Sequence, residues 1–247
     1  LDRCRCTSWP GPSRLADEDG FDEKHWATIN GGDGFYSQQD PTDPDIVYAE
    51  SQGGSMARID MATGRRTAFG RPDWQRAVRP LLDSIAVYEG VEAPREMSRD
   101  ERRKVEAWKR QVAADSALND LRYNWNTPIV LSPHDTRVVY AGGNRVIRSE
   151  NRGDDFEVIS PDLSNADTTK IRISTETTGG ITRDATGAET HGTIVALAES
   201  PVTPGLLLAG TDDGNVWVRP REGATWQQID HARFAGVPAG TWVSRVE

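Results

Sequence analysis

Short apolar runs separated by turn residues dominate the chain, and three stretches align without gaps. They share a proline in the second place, an apolar trio in the seventh to ninth places and an alanine in the tenth; they are residues 40–49, 132–141 and 200–209. Each stretch predicts the end of one strand, a proline-led turn and a second strand, because proline lacks a ladder donor and the trio is rich in strand-forming residues. The pattern predicts a fold built from repeated β units.

Each repeat continues with a hairpin turn and two further apolar runs. In the third copy, Asp213, Gly214 and Asn215 favour the positive φ angles of a tight hairpin, and a third strand and the start of a fourth follow. The predicted strands cover residues 34–39, 46–49, 56–59 and 66–69 in the first copy and 129–131, 138–140, 145–148 and 156–159 in the second. Four antiparallel strands are the composition of one propeller blade. We predict an all-β fold, a partial β-propeller of four-stranded antiparallel blades with a helical insertion.

The interval between the first two copies is longer than the interval between the last two, which indicates an insertion. Within the insertion, Ser98 and Glu101 fit a capping box, and Val105, Trp108 and Val112 share one helical face. A shorter helix is predicted over residues 81–88. The insertion either packs along the side of the propeller or serves as a lid or a partner-docking helix.

The predicted organisation follows from these boundaries. It consists of the end of a preceding blade and a linker at 1–30, a blade at 31–72, the helical insertion at 73–122, a blade at 123–165, a linker and blade at 166–230, and the start of the next blade at 231–247. Propellers usually close with more blades than this. We therefore expect the chain to be a piece of a longer protein whose remaining blades are its partners.

Composition narrows the function classes. The 247 residues carry a net charge of −9, which argues against nucleic-acid binding because phosphate contacts need a cationic face. No apolar run approaches the roughly 18 residues of a membrane span. Cys4 and Cys6 supply two thiols, which do not complete a tetrahedral metal site, so they are either an incidental pair or share a bond or a metal with sequence outside this segment. We predict no membrane span, no metal and no cofactor.

The turns between third and fourth strands resemble Asp-boxes, the bacterial neuraminidase repeat. The second copy keeps Ser149, Gly153 and Phe156 of that pattern, and the third copy keeps Gly223, Thr225 and Trp226. Asn151 and Arg221 stand where the pattern has aspartate. With the runs 31–36, 40–44, 123–129 and 210–215, the chain resembles the sortilin-type Asp-box propellers of bacteria, which are often labelled glycosyl hydrolase-like or sialidase-like. The resemblance implies the fold and a secreted or cell-envelope location, and it leaves the activity open.

The ligand face of a propeller is formed by the loops that lead into its inner strands. The candidate ligand-binding residues in those loops are Asp33, Tyr36, Asn124, Trp125, Asn126, His191 and Trp242. Aromatic and hydrogen-bonding groups of this kind suit a protein, peptide or glycan ligand, and we predict a binding module. Alternatively, Trp125 and Trp242 pack within inner strands and His191 is a satisfied loop histidine.

Glycoside hydrolysis is the alternative function. It needs two carboxyl groups that flank one bond, and the weak candidates are Asp33 and Glu50. In the xyloglucan-degrading double propellers, which the chain resembles at one turn, an acid follows the second strand of the first blade. Gln52 occupies that position here, and glutamine cannot act as a general base. The catalytic residues are therefore unknown, and a hydrolase would need further residues from outside this segment.

Overall fold

The computed structural model describes residues 11, 26, 28–70, 74–89, 97–116, 121–176, 190–230 and 236–247. These residues form three four-stranded antiparallel sheets, with three α-helices in the connections. The chain divides into two compact units. One comprises Leu1–Gly70 and Arg122–Glu247 and contains the sheets, and the other is Arg71–Leu121.

Within each sheet the strands pair in chain order, and every neighbouring pair is antiparallel. The first sheet contains β1 (Ser37–Gln39), β2 (Ile46–Ser51), β3 (Ser55–Asp60) and β4 (Arg66–Phe69). The second contains β5 (Ile129–Leu131), β6 (Val139–Gly142), β7 (Val146–Ser149) and β8 (Glu157–Val158). The third contains β9 (Ile194–Glu199), β10 (Leu207–Thr211), β11 (Val216–Arg219) and β12 (Gln227–Gln228). The predicted four-strand order is confirmed in all three copies.

The fourth strand has the predicted bounds in the first sheet, is shorter than predicted in the second and starts later than predicted in the third, and in the last two an aromatic residue lies directly before it. Phe156 lies directly before β8, and its ring stacks on Phe69 of the first sheet at a centroid distance of 5.4 Å. Trp226 lies directly before β12, and its indole Nε1 donates to the Ile159 carbonyl of the second sheet at 2.8 Å. Each aromatic side chain thus covers the preceding sheet. In the segment assigned to the end of a preceding blade, Trp26, Thr28 and Ile29 are not in a strand, and residues 25 and 27 lie outside the described residues.

The first strands of successive sheets lie side by side. The side-chain amide of Gln38 in β1 donates to the Ile129 carbonyl at 2.9 Å and accepts from the Leu131 amide at 3.0 Å. Between the second and third sheets, the backbone amide of Ile194 donates to the Gly143 carbonyl at 2.8 Å. These bonds fix the order of the three sheets at their inner strands.

A hydrophobic core cluster fills the space between the second and third sheets. Tyr140 and Val146 of the second sheet pack with Leu207, Ala209 and Trp226 of the third. Full burial of one such aliphatic side chain is worth about 1.5–3 kcal/mol. The packing of one sheet on the next is therefore a main source of stability.

Two arginines on third strands link neighbouring sheets. Arg58 in β3 donates to the Arg152 carbonyl at 2.7 Å and to the Asp154 carboxylate at 2.8 Å. Arg148, at the matching position of β7, bonds Glu222 of the third sheet. The same position therefore connects each of the first two sheets to the turn before the next sheet's fourth strand.

The helical unit contains α1 (Trp74–Glu89) and α2 (Arg99–Ser116). The predicted capping box is present, because the Ser98 amide donates to Glu101 Oε2 at 2.8 Å and the Glu101 amide donates to Ser98 Oγ at 3.3 Å. The two helices meet where the Tyr88 and Trp108 rings pack edge to face at 5.4 Å. The helix predicted over residues 81–88 is longer than expected and includes Pro80.

A further helix, α3 (Thr168–Glu176), lies in the connection predicted to be a linker. Its start follows a recognisable signal, since Asp167 Oδ1 accepts from the amides of Thr169 and Lys170 as an N-cap does. In the described part of the chain, no helix combines the length and apolarity needed to cross a membrane.

We expect Gly142→Ala to destabilise the protein by about 1–3 kcal/mol, because overpacking a dense interface forces neighbours apart. A Cβ atom at Gly142 would lie 2.8 Å from Ile194 Cγ2 and 3.0 Å from Pro128 Cγ. The control is Gly31→Ala, where nothing lies within 4 Å of the added atom. Urea unfolding followed by tryptophan fluorescence measures both variants. Equal midpoints for the two variants would contradict the close approach of the second and third sheets.

Candidate functional site

The loops that lead into β1, β5 and β9 lie at one end of the sheets, which we call the loop end. Antiparallel pairing places the start of each inner strand beside the turn between the second and third strands of the same sheet. The Gly53 amide in the first of these turns donates to the Trp125 carbonyl of the second sheet's loop at 3.2 Å. The loops of separate sheets are therefore tied to one another at this end.

Two aromatic rings from different sheets meet at the loop end. Phe35 and Trp125 pack edge to face with their centroids 6.4 Å apart and an interplanar angle of 72°, and both are half-buried. Phe35 is not among the residues predicted from the sequence, although its position beside Tyr36 at the start of β1 is a usable signal. Asp33 and Tyr36 are also half-buried, and the Tyr36 carbonyl accepts from the Glu50 amide at 2.8 Å.

Asn124 fixes the loop that carries Trp125. Only 7% of Asn124 is exposed, and its Nδ2 donates to Thr193 Oγ1 at 3.0 Å and to the Thr190 carbonyl at 3.4 Å. Its Oδ1 accepts from the Asn126 amide at 3.3 Å. The side chain of Asn124 is thus engaged in joining the second sheet to the third. Trp125 remains half-buried and Asn126 exposed, so these two offer the accessible groups of this loop.

His191 lies in the loop that Asn124 contacts, directly before β9. The neighbouring turn of the third sheet supplies Asp212, whose Oδ1 accepts from the amides of Gly192 and Thr193 at 3.1 and 2.9 Å. Burial raises the pKa of Asp212, while these hydrogen bonds and the charge of His191 oppose the increase. The half-buried His191 thus lies near Asp212, whose hydrogen bonds fix the loop that carries His191.

Glu50 is the most unusual group at the loop end, because its side chain is completely buried. Its Oε1 accepts from the Gly54 amide at 3.3 Å, whereas Oε2 has no hydrogen-bond partner among the described residues. Burial raises the pKa of Glu50 to about 8, against hydrogen bonds from Thr127 and Gly54 that lower it. The carboxyl group is therefore largely protonated at neutral pH.

The strand register shows why Glu50 is exceptional. Tyr48, which pairs with Arg58, corresponds to Tyr140, which pairs with Arg148, so Glu50 corresponds to Gly142 two residues further on. At Gly142 the next inner strand approaches so closely that a Cβ atom would collide with Ile194. The first sheet instead places a protonated carboxyl group against Thr127 at the start of its neighbour.

The turn beside Glu50 adopts a conformation that requires glycine. It forms a single 3₁₀ turn over Gln52–Gly54, in which Gly53 and Gly54 have φ angles of 63° and 75°. A Cβ atom on Gly54 would lie 2.4 Å from the Tyr123 ring. Gln52 lies against Gly32. This turn and the Tyr123–Trp125 loop therefore form one tightly packed unit.

Trp242 occupies a different environment from the other candidates. It is 51% exposed and, with the adjacent Val243, lines an apolar groove on the third sheet. The Val243 amide donates to the Thr211 carbonyl at 3.1 Å, which anchors this segment at the turn between β10 and β11. The contacts described above join Phe35 to Trp125, and Asn124 to the His191 loop, whereas Trp242 lines the groove.

The described residues contain no group of three or more histidine, cysteine, aspartate or glutamate side chains able to hold a metal ion. Cys4 and Cys6 lie outside the described residues. Comparison with protein-family models finds no family that matches the sequence, and a search of curated proteins finds no significant relative. The geometry of the site is therefore the basis for proposing a function.

We expect Glu50→Gln to remove a pH-dependent loss of stability. The folded-state pKa of about 8 exceeds the ordinary value of 4.5, so the folded chain retains a proton that the unfolded chain releases. This stabilisation is complete below pH 4.5 and is lost as the pH rises through about 8, at about 1.4 kcal/mol per pH unit. Glutamine is neutral throughout, so the variant should be the more stable protein at pH 9.

Urea unfolding between pH 4 and pH 9 gives the required free energies. Asp33→Asn is the matched control, because it removes a half-buried carboxyl group from the same end of the sheets. The difference in unfolding free energy between Glu50→Gln and the unmodified chain should change with pH. A difference that stays constant would show that Glu50 is ionised in the folded protein.

Proposed function

We propose that the chain is part of a β-propeller, with each sheet forming one blade, and that its loop end binds a peptide or a glycan. The adjacent inner strands support the propeller, because blades meet in this way around a central axis. The resemblance to sortilin-type Asp-box propellers extends the proposal to a secreted or cell-envelope protein of bacteria. The remaining blades of a longer chain would complete the binding face.

The turn before β8 adds support for the Asp-box resemblance. Ser149 Oγ accepts from the Gly153 amide at 2.7 Å, and Asn151 Oδ1 accepts from the Asp155 amide at 2.9 Å. Asn151 thus takes the turn-bonding role that aspartate has in the resembling repeat. Because this turn lies away from the loop end, it supports a structural repeat and carries no implication for ligand chemistry.

The observation that carries the binding role is the Phe35–Trp125 pair on loops whose backbones are fixed. Asn124 and Gly53 hold the Trp125 loop from two neighbouring sheets. An aromatic surface that is already ordered loses little conformational entropy when a ligand stacks on it. The exposed Asn126 beside it offers an amide that can pair with sugar hydroxyls or a peptide backbone.

Glycoside hydrolysis remains the second candidate, and the geometry supports it less. It needs one carboxyl group to donate a proton and another to act as a base or nucleophile, both within reach of the substrate. The carboxyl group of Glu50 is enclosed between the first two sheets, although its raised pKa would suit an acid. Asp33 is the accessible carboxyl candidate, and it would need a second acid from other blades.

We expect Trp125→Ala to weaken ligand binding about five- to 150-fold, since loss of a stacked aromatic costs roughly 1–3 kcal/mol. Asn126→Ala should weaken binding by a smaller factor. The control is Trp226→Ala, which removes a buried indole between the second and third sheets and should lower stability while leaving binding by the folded fraction intact.

Glycan arrays and peptide libraries, followed by calorimetry on each hit, provide the measurement. Equal losses for Trp125→Ala and Trp226→Ala, corrected for folding, would contradict a binding role for the loop end. Release of reducing sugar that Asp33→Asn abolishes would instead identify a hydrolase.

A further inference from the structure

The third sheet has an apolar groove on the side that faces away from the second sheet. Leu208, Val216 and Ile229 contribute from the sheet, and Trp242 and Val243 contribute from the following segment. The groove encloses about 430 Å³. An opening of this size lined by aliphatic side chains is unfavourable in water, because apolar surface stays hydrated.

The floor of the groove corresponds to the face of the second sheet that the third sheet covers. The backbone bond from Ile229 to Val216 at 2.8 Å matches the bond from Ile159 to Val146 at 2.9 Å in the second sheet. Val146 is fully buried in the core cluster that Leu207, Ala209 and Trp226 of the third sheet complete. In the groove, Val216 is only half-buried.

The segment beside the groove begins as an inner strand does. The Val243 amide donates to the Thr211 carbonyl, and the Ile194 amide donates to the corresponding Gly143 carbonyl at the start of β9. A Cβ atom on Gly210 would lie 2.3 Å from Val243 Cγ1. The corresponding atom on Gly142 would lie 2.8 Å from Ile194 Cγ2. Val243 thus continues the interface that already joins the second and third sheets.

The groove differs from that interface at one pair of positions. In the second sheet, Tyr140 and Arg148 pair across the strands and bond acids of the third sheet, Glu199 and Glu222. In the third sheet the corresponding pair is Leu208 and Val218. Neither side chain can bond a carboxylate. An occupant therefore needs apolar groups where the third sheet has those two glutamates.

We propose that the groove is the docking surface for a further four-stranded antiparallel sheet whose innermost strand starts at Trp242–Val246. The side of that sheet facing the groove carries aliphatic residues matching Leu207 and Ala209 and an aromatic residue matching Trp226. It carries no acid opposite Leu208 and Val218. The inference rests on the repeating-sheet architecture proposed above and is independent of ligand binding at the loop end.

A matched pair of substitutions in the unmodified chain tests whether the groove is open. Val216→Lys should leave the melting temperature within about 3 °C and abolish the fluorescence of a bound naphthalene sulfonate dye. Val146→Lys, at the equivalent covered position, should unfold the protein because it buries a charge. Equal destabilisation by both substitutions would show that the groove is already closed, and would overturn the proposal.

A chain extended by a copy of the third sheet tests whether such a sheet occupies the groove. A copy of residues 199–230 is appended after Glu247. This register makes Val243 the equivalent of Ile194. The copy carries two substitutions, Glu199→Leu and Glu222→Ala. The extended chain should melt about 10 °C higher than the 247-residue chain and should lose dye binding. The control is the same extension with Leu207→Ser and Trp226→Ser in the copy, which should behave like the unextended chain.

The circular dichroism strand signal checks that the added copy folds. Identical melting and dye binding in the two extended chains would overturn the proposal. So would a dimer of the unextended chain that Trp242→Ser dissociates, because a second copy would then be the occupant. Neither readout depends on a ligand, so failure here is distinguishable from failure of the proposed binding function.

Discussion

Burial of apolar side chains between successive sheets is the interaction on which the rest of the structure depends. A four-stranded sheet of this length cannot cover both of its faces by itself, so each one is stable only against a neighbour. The cluster around Tyr140, Leu207 and Trp226 satisfies this requirement between the second and third sheets. The exposed groove beside Val216 shows the same surface where the requirement is not met.

The same constraint determines how the buried polar groups at these interfaces are paired and ionised. Close packing excludes water, so each buried polar atom must find a partner within the protein or change its ionisation. Gln38 meets the requirement with two bonds to the backbone of the second sheet. Glu50 meets it by retaining a proton, because Thr127 and Gly54 together satisfy only part of its carboxyl group.

The loops at the loop end are held in place by contacts at these interfaces. Trp125 lies on a loop of the second sheet that is held by both flanking sheets, through Phe35 and Gly53 on one side and Thr193, by way of Asn124, on the other. The same contacts couple the position of Trp125 to the packing of the three sheets.

The sequence by itself determined the local architecture. The repeated proline-led turn and apolar trio are sufficient for the four-strand order, and Ser98 with Glu101 is sufficient for the start of α2, because neighbours in sequence make these interactions. The loops that lead into the inner strands could be named for the same reason. The limits of β8 and β12 were less accessible, since tertiary contacts of Phe156 and Trp226 lie at their starts, and α3 was missed although Asp167 caps it.

Only the tertiary structure decided how far each candidate site residue is buried, what it contacts and whether it is protonated. Asn124 and Trp125 are adjacent in sequence, yet one is buried in bonds to the third sheet and the other is half-exposed beside Phe35. In the sequence, Glu50 looks like any glutamate at the end of a strand. In the structure the second sheet encloses its side chain, and this burial raises its pKa. Burial, ring packing and protonation depend on which distant loops are brought together, and that is fixed by the packing of whole sheets rather than by the pattern within any one of them.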